Sequence, residues 1–376
     1  MKHNRLYAII GSVARTLLGL TFIFSGFVKA VDPLGTVYKI EDYLNAFGGF
    51  FTHLVPAAPE AACALILFEF VLGVLLVFNV WIKATSWLAL LMMIVMTPLT
   101  LYLAIANPVT DCGCFGDAIH LSNWATFGKN VVLLVLAVAL LLTKDYLYST
   151  WRKPLDLIIF CVAFLCCSGL MAYALLHLPP IDFRPYKIGN NIPELMTVDI
   201  PDDAPVDEYE YTFIYEKDGV QQEFTLDNYP KDDSTWTFVD QRSKLIKKGY
   251  EAPEPPVHDF VLTLTEADGT VYDLTDEILE QDEVTLAILY KVEKASRKQA
   301  EKLNRLYQAS LESGMPFYAV TGSGEHEIDI WRQETGAEYP FLSCDGVTLK
   351  TIVRANPGIV VLQQGTVVDK YNLRNR

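Results

Sequence analysis

The chain has 376 residues, of which 51% are apolar and 20% are charged, and its formal net charge is −15. Residues 1–180 carry ten basic and nine acidic residues, whereas residues 181–376 carry 20 and 36, so the negative charge belongs to the second part. The apolar content excludes a disordered or collagen-like chain, and the acidic charge excludes a nucleic-acid-binding protein. The composition indicates a membrane domain followed by an acidic soluble domain.

Five apolar stretches are each long enough, or nearly so, to cross about 30 Å of hydrocarbon as a helix. The predicted helices cover residues 6–28, 61–82, 84–106, 121–142 and 155–178. The first stretch follows basic residues, as a signal peptide does, but it is long for a cleaved segment and Arg15 interrupts it. We therefore expect an uncleaved helix and a transmembrane bundle spanning residues 1–180.

Basic residues predict the orientation of this bundle. If the five helices alternate, these basic residues fall on one side of the membrane: Lys2, Arg5, Lys83, Lys144, Arg152 and Lys153. Because short cytoplasmic loops are enriched in Lys and Arg, that side is expected to be cytoplasmic. The loops 30–60 and 107–120 and everything after Pro179 then lie on the other side. The sequence predicts a multi-pass protein of a bacterial inner membrane, with a cytoplasmic N-terminus and a periplasmic C-terminal domain.

Two charged residues, Arg15 and Glu69, lie well inside the predicted helices. An unpaired charge near the middle of a membrane is costly. We therefore expect Arg15 and Glu69 to form an intramembrane ion pair that joins the first two helices; a proton-handling role for Glu69 is the alternative. Lys29 and Lys129 lie nearer the outer boundary, where their side chains are expected to extend toward the headgroups.

The loop between the third and fourth helices contains Cys112 and Cys114, separated by Gly113. Two cysteines at this spacing form a small, strained disulfide ring, and strained disulfides exchange more readily than structural ones. Three interpretations stay open: a redox-active dithiol, a static disulfide, or two ligands of a metal site. Nearby aspartates would raise the pKa of a loop thiol, whereas Lys29 would lower it if the fold brings the two together.

The other membrane cysteines carry weaker signals. Cys63 lies at about the depth of the cysteine loop and is a candidate third thiol. Cys161, Cys166 and Cys167 lie in the fifth helix and are expected to be buried there as small hydrophobic residues.

The Cys-Gly-Cys-Phe-Gly loop before a transmembrane helix resembles the MauE branch of the DoxX-like membrane proteins. The first helix, with Arg15 and its exit Phe24-Ser-Gly-Phe-Val-Lys29, and the helix containing Glu69 share this resemblance, which covers residues 5–145. It implies a four-helix membrane bundle, distantly similar to that of vitamin K epoxide reductase, to which this chain adds a fifth helix. It also implies thiol–disulfide chemistry or maturation of disulfide-rich exported proteins, with Cys112, Cys114 and, less directly, Glu69 as the residues carried over.

The acidic part is expected to contain two regions. Residues 181–255 are predicted to be a linker with a β-hairpin turning at Lys217-Asp-Gly219. Residues 256–376 are predicted to be a soluble α/β domain, because strands and helices alternate. The predicted strands are 260–265, 271–274, 284–290, 317–321, 358–362 and 367–371, and the predicted helices are 295–311 and 327–336.

This order of elements resembles a thioredoxin-like domain of the peroxiredoxin-related type. Pro357, in Asn-Pro-Gly before the last hairpin, stands where that fold has its cis-proline, beside which an extended substrate segment binds. At the family's Cys-x-x-Cys position the chain reads Tyr290-Lys-Val-Glu, so that dithiol is missing. Cys344 is the domain's one thiol and is expected to be unused. The domain is therefore expected to be a docking module.

Two functions follow from these observations. In the first, Cys112 and Cys114 are a periplasm-facing redox pair that supports thiol–disulfide exchange or maturation of exported proteins. In the second, a permanent Cys112–Cys114 disulfide stiffens a non-catalytic membrane scaffold. A transporter has only Arg15 and Glu69 in its favour. The expected partners are membrane lipid and an exported client or redox protein, not nucleic acid. A phosphate-binding Gly-rich loop, a dinucleotide fingerprint and a zinc-protease helix are absent, and the cofactor and the electron donor or acceptor, including any quinone, stay open.

Overall fold

The computed structural model describes residues 2–375 apart from 109–112, 149–152, 202, 232, 251 and 267. Cys112, one of the two cysteines predicted to form a redox pair, lies outside the described residues. Cys114 lies within them.

The first part of the chain is helical, as predicted. Its helices are α1 (Lys2–Val31), α2 (Pro33–Phe47), α3 (Ala58–Val77), α4 (Ile82–Ala106), α5 (Asn123–Thr143) and α6 (Lys153–Leu176). All except α2 belong to segments that are long and apolar enough to cross a membrane. The expected membrane bundle is confirmed, and this is a membrane protein. Helices α1, α4 and α6 all finish on one side of the bundle. This side is called the loop end below.

Helix α2 lies in a segment that the sequence analysis treats as a loop. The carboxylate of Asp32 caps its start by accepting a hydrogen bond from the Gly35 amide at 3.1 Å, and Pro33 occupies the first helical position. Val37 is buried against Ala58 and Ala62 of α3. The sequence did not predict this helix, because its 15 residues are too few to cross a membrane and include the charged Lys39, Glu41 and Asp42.

Helices α1 and α3 run antiparallel with their backbones in contact. A Cβ atom on Gly26 would lie 2.7 Å from the Phe70 amide nitrogen, and one on Gly73 would lie 2.6 Å from the Ile23 amide nitrogen. Glycine permits this close approach between membrane helices. Backbone contact therefore fixes the register of α1 against α3.

The bundle has a shared apolar core, and α6 packs outside it. The core draws on α1, α3, α4 and α5 through residues that include Leu18, Leu76, Met93 and Leu140. Helix α6 packs on α3, where Cys167 is buried. The expectation that all of the α6 cysteines are buried is wrong, because Cys161 and Cys166 are exposed on the bundle surface.

Residues 191–258 form a compact unit of their own. It contains α7 (Ile192–Met196), β1 (Glu208–Lys217), β2 (Val220–Thr225) and β3 (Thr237–Lys247), with the antiparallel strand order β2-β1-β3. The predicted hairpin is confirmed: Asp218 and Gly219 both have positive φ, as the favoured two-residue hairpin turn requires. Strand β3 was not predicted, because every residue in it is exposed and no buried face marks it.

The C-terminal part is an α/β domain. Its elements are β4 (Thr263–Thr265), β5 (Val271–Asp273), α8 (Thr275–Leu279), β6 (Val284–Ile288), α9 (Ala300–Ser313), β7 (Phe317–Thr321), α10 (Glu325–Thr335), β8 (Phe341–Ser343), α11 (Gly346–Ile352), β9 (Gly358–Gln363) and β10 (Thr366–Asn372). They form one sheet in the order β10-β9-β6-β7-β8-β4-β5, in which β6, β7 and β8 are parallel and β9 is antiparallel to β6. The Asn356–Pro357 peptide bond is cis, as predicted. The thioredoxin-like fold class is confirmed.

The segment after α6 fastens this thioredoxin-like domain to the bundle. Asp182 accepts hydrogen bonds from Arg184 and from Lys370 of β10, and the Lys370 ammonium also donates to the Tyr186 carbonyl at 2.8 Å. Burial, followed by the nearby Arg184 charge, lowers the pKa of Lys370 to about 8. Asn375 donates to the carbonyl of Leu176 at the end of α6. The domain is thereby held at the loop end.

Because α1 and α3 are in backbone contact, alanine at Gly26 and alanine at Gly169 should have opposite effects on stability. Replacing Gly26 by alanine should lower the thermal unfolding midpoint in detergent, with a loss of about 1–3 kcal/mol, because the new methyl group meets the backbone of Phe70. Gly169→Ala in α6 is the control, since no atom lies within 4 Å of its Cβ position, and alanine is the better helix former there. Equal midpoints for the two variants would contradict the packing described.

Candidate functional site

The described part of the cysteine loop is a tight turn above the loop end of the bundle. The Gly116 amide donates to the Gly113 carbonyl at 3.0 Å, and both glycines have positive φ. The Ser25 hydroxyl donates to the carbonyl oxygen of Cys114 at 2.6 Å. Helix α1 thus holds the half-buried Cys114 against the bundle.

Phe115 anchors the loop between two helices. Its ring packs edge-on against Phe24 of α1, with centroids 5.3 Å apart, and the ammonium of Lys129 lies 4.1 Å from its centroid. At the base of the loop the side-chain amide of Asn123 donates a hydrogen bond to the side-chain oxygen of Asn107 at 2.8 Å. Lys129, expected to extend toward the headgroups, lies instead over the loop.

Glu69 pairs with Lys29. The Lys29 ammonium lies 2.6 Å from the Glu69 carboxylate, and the two side chains are 6% and 5% exposed. Lys29 also donates to the Ser25 hydroxyl at 3.0 Å. The predicted ion pair between Arg15 and Glu69 is therefore wrong, because the backbone contact of α1 with α3 places Lys29 beside Glu69. The expectation that Lys29 extends toward the headgroups is wrong for the same reason.

Arg15 has a different role. Its guanidinium donates to the carbonyl oxygens of Leu76 and Val77. These are the last residues of α3, whose carbonyls lack partners within the helix, and a cation is favoured at this end of the helix dipole. Arg15 therefore caps α3 and lies apart from the cysteine loop.

Two cavities adjoin Cys114. The larger, of about 70 Å³, lies between α2 and the loop and is lined by Lys29, Asp32, Gly35, Thr36, Lys39, Ile40, Tyr43, Leu65, Met96, Leu99, Gly113, Cys114, Gly116 and Asp117. The smaller, of about 30 Å³, lies in the bundle and is lined by Thr21, Phe22, Ser25, Lys29, Glu69, Met92, Met93, Met96, Cys114, Phe115, Lys129, Asn130 and Leu133. Cys114 and Lys29 line both cavities, so the buried ion pair and the cysteine belong to one site.

The thioredoxin-like domain contacts this site through Arg354. Its guanidinium bonds Asp32, which caps α2, at 2.8 Å and Asp117 of the cysteine loop at 2.9 Å, and its side chain is 6% exposed. Burial alone would lower the pKa of Arg354, but the two carboxylates raise it overall. One buried cation therefore joins the domain, α2 and the cysteine loop.

Aromatic contacts extend this interface. Tyr38 of α2 packs edge-on against Tyr290, with centroids 6.4 Å apart, and the Lys350 ammonium lies 4.5 Å from the Tyr38 ring centroid. Burial is the main cause that raises the pKa of both tyrosines. Tyr290 occupies the position at which thioredoxin-like families carry their first cysteine. The face that would hold a dithiol is therefore packed against α2.

Pro357 does not offer an open docking position. The residue is buried, and its neighbour Asn356 donates a side-chain hydrogen bond to the Lys291 carbonyl at 2.8 Å. Tyr290 and Arg354, on either side of it in the fold, are both engaged with the membrane domain. The interface within the chain occupies the face that was expected to receive a substrate segment.

The remaining candidate thiols lie elsewhere. Cys63 is half-buried in α3 and is not among the described residues that line the two cavities. Cys344 is buried between β8 and α11, and burial raises the pKa of its thiol to about 11. Within the described ranges no three His, Cys, Asp or Glu side chains are grouped as a metal site would require.

Comparison with known families identifies the membrane part. Residues 7–143 match the profile of the family described as Methylamine utilisation protein MauE. Residues 7–143 are a MauE-family domain. Residues 209–248 match a Domain of unknown function (DUF8463). No curated protein matches the chain.

Three of the solved structures similar to parts of the chain come from Bacteroides species. A thioredoxin domain of a thiol-disulfide oxidoreductase from Bacteroides vulgatus is 18% identical, with 29% of this chain and 82% of that chain covered and a TM-score of 0.25. A putative protein disulfide isomerase from Bacteroides thetaiotaomicron is 19% identical, with 31% and 77% covered and a TM-score of 0.26. A thioredoxin-like protein from Bacteroides caccae is 12% identical, with 85% and 79% covered and a TM-score of 0.25. The strand order β10-β9-β6-β7-β8 and the cis bond before Pro357 show the thioredoxin-like fold of this domain.

Sequence reasoning missed three residues of the site. Ser25 lies near the end of α1, within the MauE-family domain. A polar serine in an apolar helix is a pattern that could have indicated a site residue. Tyr38 was missed together with α2. Arg354 had no local signal, because its carboxylate partners lie more than 200 positions away in the chain.

The ion pairs of Arg354 are expected to hold the thioredoxin-like domain to α2 and the cysteine loop. Replacing Arg354 by methionine leaves Asp32 and Asp117 without their buried cation and should cost about 3–5 kcal/mol of folding stability. Amide hydrogen exchange across α2 should accelerate, because the ion pair that holds its capping residue Asp32 to the thioredoxin-like domain is lost, while the Tyr38–Tyr290 contact remains. Arg305→Met is the control, since Arg305 forms an exposed pair with Glu301 within α9. Unchanged exchange in α2 of the Arg354 variant would refute this interface.

Proposed function

We propose that the protein is a thiol–disulfide factor of a bacterial inner membrane, with Cys112 and Cys114 as its redox pair. The observation that carries this proposal is the placement of Cys114, which Ser25 holds beside two cavities. Lys29 of the buried Lys29–Glu69 pair lines both cavities, and Glu69 lines the smaller one. A buried ion pair is costly to desolvate and adds little net stability. Its position beneath a half-buried cysteine therefore favours a role in the chemistry of that cysteine.

The proposed reaction is thiol–disulfide exchange with an exported protein. The thiolate of one loop cysteine attacks a client disulfide, forms a mixed disulfide and releases one client thiolate, which takes up a proton. The second loop cysteine loses its proton and attacks the mixed disulfide, so the client leaves as a dithiol and the loop becomes a disulfide. Two electrons pass to the client, and a partner dithiol returns them to the loop.

The basic residues support a periplasmic position for the loop end. Lys83, in the first turn of α4, and Lys144, directly after α5, lie at the opposite end of the bundle. Lys83 is exposed there and pairs with Asp145 at 3.5 Å. Because cytoplasmic loops carry an excess of Lys and Arg, the proposal places the cysteine loop and thioredoxin-like domain in the periplasm.

In this proposal the thioredoxin-like domain positions the loop. Its cysteine-free face is packed on α2, and Arg354 bonds Asp117, three residues after Cys114. The domain therefore covers the loop from one side, instead of presenting a free groove to clients. Clients approach the loop from a side that the domain leaves open.

A non-catalytic scaffold is the second candidate, and the same Arg354 contacts favour it. A cation that joins Asp32 to Asp117 would stiffen a loop that already contains a permanent Cys112–Cys114 disulfide. The two functions differ in one respect. Exchange requires that the loop disulfide open during each cycle, whereas a scaffold requires that it stay closed.

Trapping variants test the proposed exchange. Removing the resolving cysteine should leave a mixed disulfide on the attacking one, so Cys112→Ala or Cys114→Ala should accumulate a reductant-sensitive adduct with an exported protein. The measurement is non-reducing electrophoresis with mass spectrometry of cells expressing each full-length variant. Cys344→Ala, which removes a buried thiol, should give the wild-type pattern. If neither loop variant forms an adduct and the Cys112→Ser/Cys114→Ser double variant keeps full cellular function, the scaffold is the correct assignment.

A further inference from the structure

We propose that Lys29 makes Cys114 the reactive thiol of the loop by stabilising its thiolate from within the bundle. This inference rests on the proposed redox function and names the residue that sets the reactivity of the site. Lys29 is a buried lysine of α1 that lines both cavities adjoining Cys114.

Geometry connects Lys29 to Cys114 by two routes. Both residues line the cavity of about 70 Å³ beneath α2 and the cavity of about 30 Å³ in the bundle. The Lys29 ammonium also donates to the Ser25 hydroxyl at 3.0 Å, which in turn donates to the Cys114 carbonyl at 2.6 Å. Ser25 thus holds the cysteine and the cation at one place on α1.

Burial makes this cation effective. The side chain of Lys29 is 6% exposed, and a charge acts more strongly on its neighbours where water is excluded. A cation next to a thiol favours the thiolate, which is the nucleophile in disulfide exchange. Glu69, at 2.6 Å from the ammonium, holds it in place inside the bundle.

Other titratable groups line the two cavities, so the effect of Lys29 must be separated from theirs. They are Asp32, Lys39, Tyr43, Glu69, Asp117 and Lys129. Lys129 lies over the Phe115 ring, and Asp32 and Asp117 are engaged by Arg354. Lys39 is only half-buried, with its aliphatic carbons against Gly113. Lys29 is the most deeply buried cation among the described residues that line the cavities.

The test is the pH profile of Cys114 alkylation in the purified, reduced full-length protein. A Cys112→Ser background leaves Cys114 as the loop thiol, and mass spectrometry follows its reaction with iodoacetamide separately from that of the other cysteines. With Lys29 present, the midpoint should lie below the value of about 8.5 for a free thiol. Lys29→Met should raise it by about one pH unit, so that the alkylation rate below the midpoint falls about tenfold.

The variants separate the charge of Lys29 from its packing. Lys29→Met alone leaves the buried Glu69 carboxylate without its cation. The Lys29→Met/Glu69→Gln double variant removes both charges and should therefore fold. It should still show the raised midpoint of Cys114 alkylation. Lys29→Arg should restore a low midpoint, and Lys83→Met, which removes an exposed lysine at the other end of the bundle, should leave it unchanged. Cys344, with its pKa of about 11, is an internal reference in every sample.

The outcomes distinguish this inference from the proposed function. A folded double variant with the wild-type Cys114 profile would overturn the role of Lys29, even if mixed disulfides with clients are trapped. The shifted profile without any trapped adduct would support the role of Lys29 and count against exchange with exported proteins.

Discussion

The buried ion pair between Lys29 and Glu69 exists because α1 and α3 touch through their backbones. Gly26 and Gly73 leave no room for a Cβ atom, so the register of the two helices is fixed and the two charges meet inside the bundle. The same register turns the exit of α1 toward the cysteine loop, where Ser25 bonds Cys114 and Phe24 packs on Phe115. The glycine contact therefore positions the Lys29–Glu69 pair and the α1 residues against which the cysteine loop packs.

The thioredoxin-like domain completes this arrangement from above. Its cysteine-free face packs on Tyr38 of α2, and Arg354 is neutralised by one carboxylate from the end of α1 and one from the cysteine loop. A thioredoxin fold without its dithiol thus serves the MauE-family domain as a structural partner. Cys114, the described cysteine of the membrane loop, lies on the same loop as Asp117, which Arg354 binds, and this is why the loop carries the proposed chemistry.

The sequence predicted those parts of the fold that depend on local patterns. The membrane helices, the β1-β2 hairpin, the cis bond before Pro357 and the thioredoxin-like order of elements follow from apolar length, turn residues and alternation. The pairing of Glu69 could not be predicted, because counting residues from each helix end places Arg15 and Glu69 at similar depth. Only the glycine contact between α1 and α3 shows that Lys29 is the partner. The role of Arg354 could likewise not be predicted, because it depends on contacts between segments that are distant in the sequence.

If the protein works by thiol–disulfide exchange, the Cys112–Cys114 pair changes redox state while the protein is in the membrane. The most direct test is the thiol state of the two cysteines in intact cells, measured by alkylation and gel shift before and after a mild reductant. The account predicts that the pair opens under reductant and returns to its resting state when the reductant is removed. A disulfide that resists mild reductant in cells and opens only after denaturation would contradict it and would identify the loop as structural.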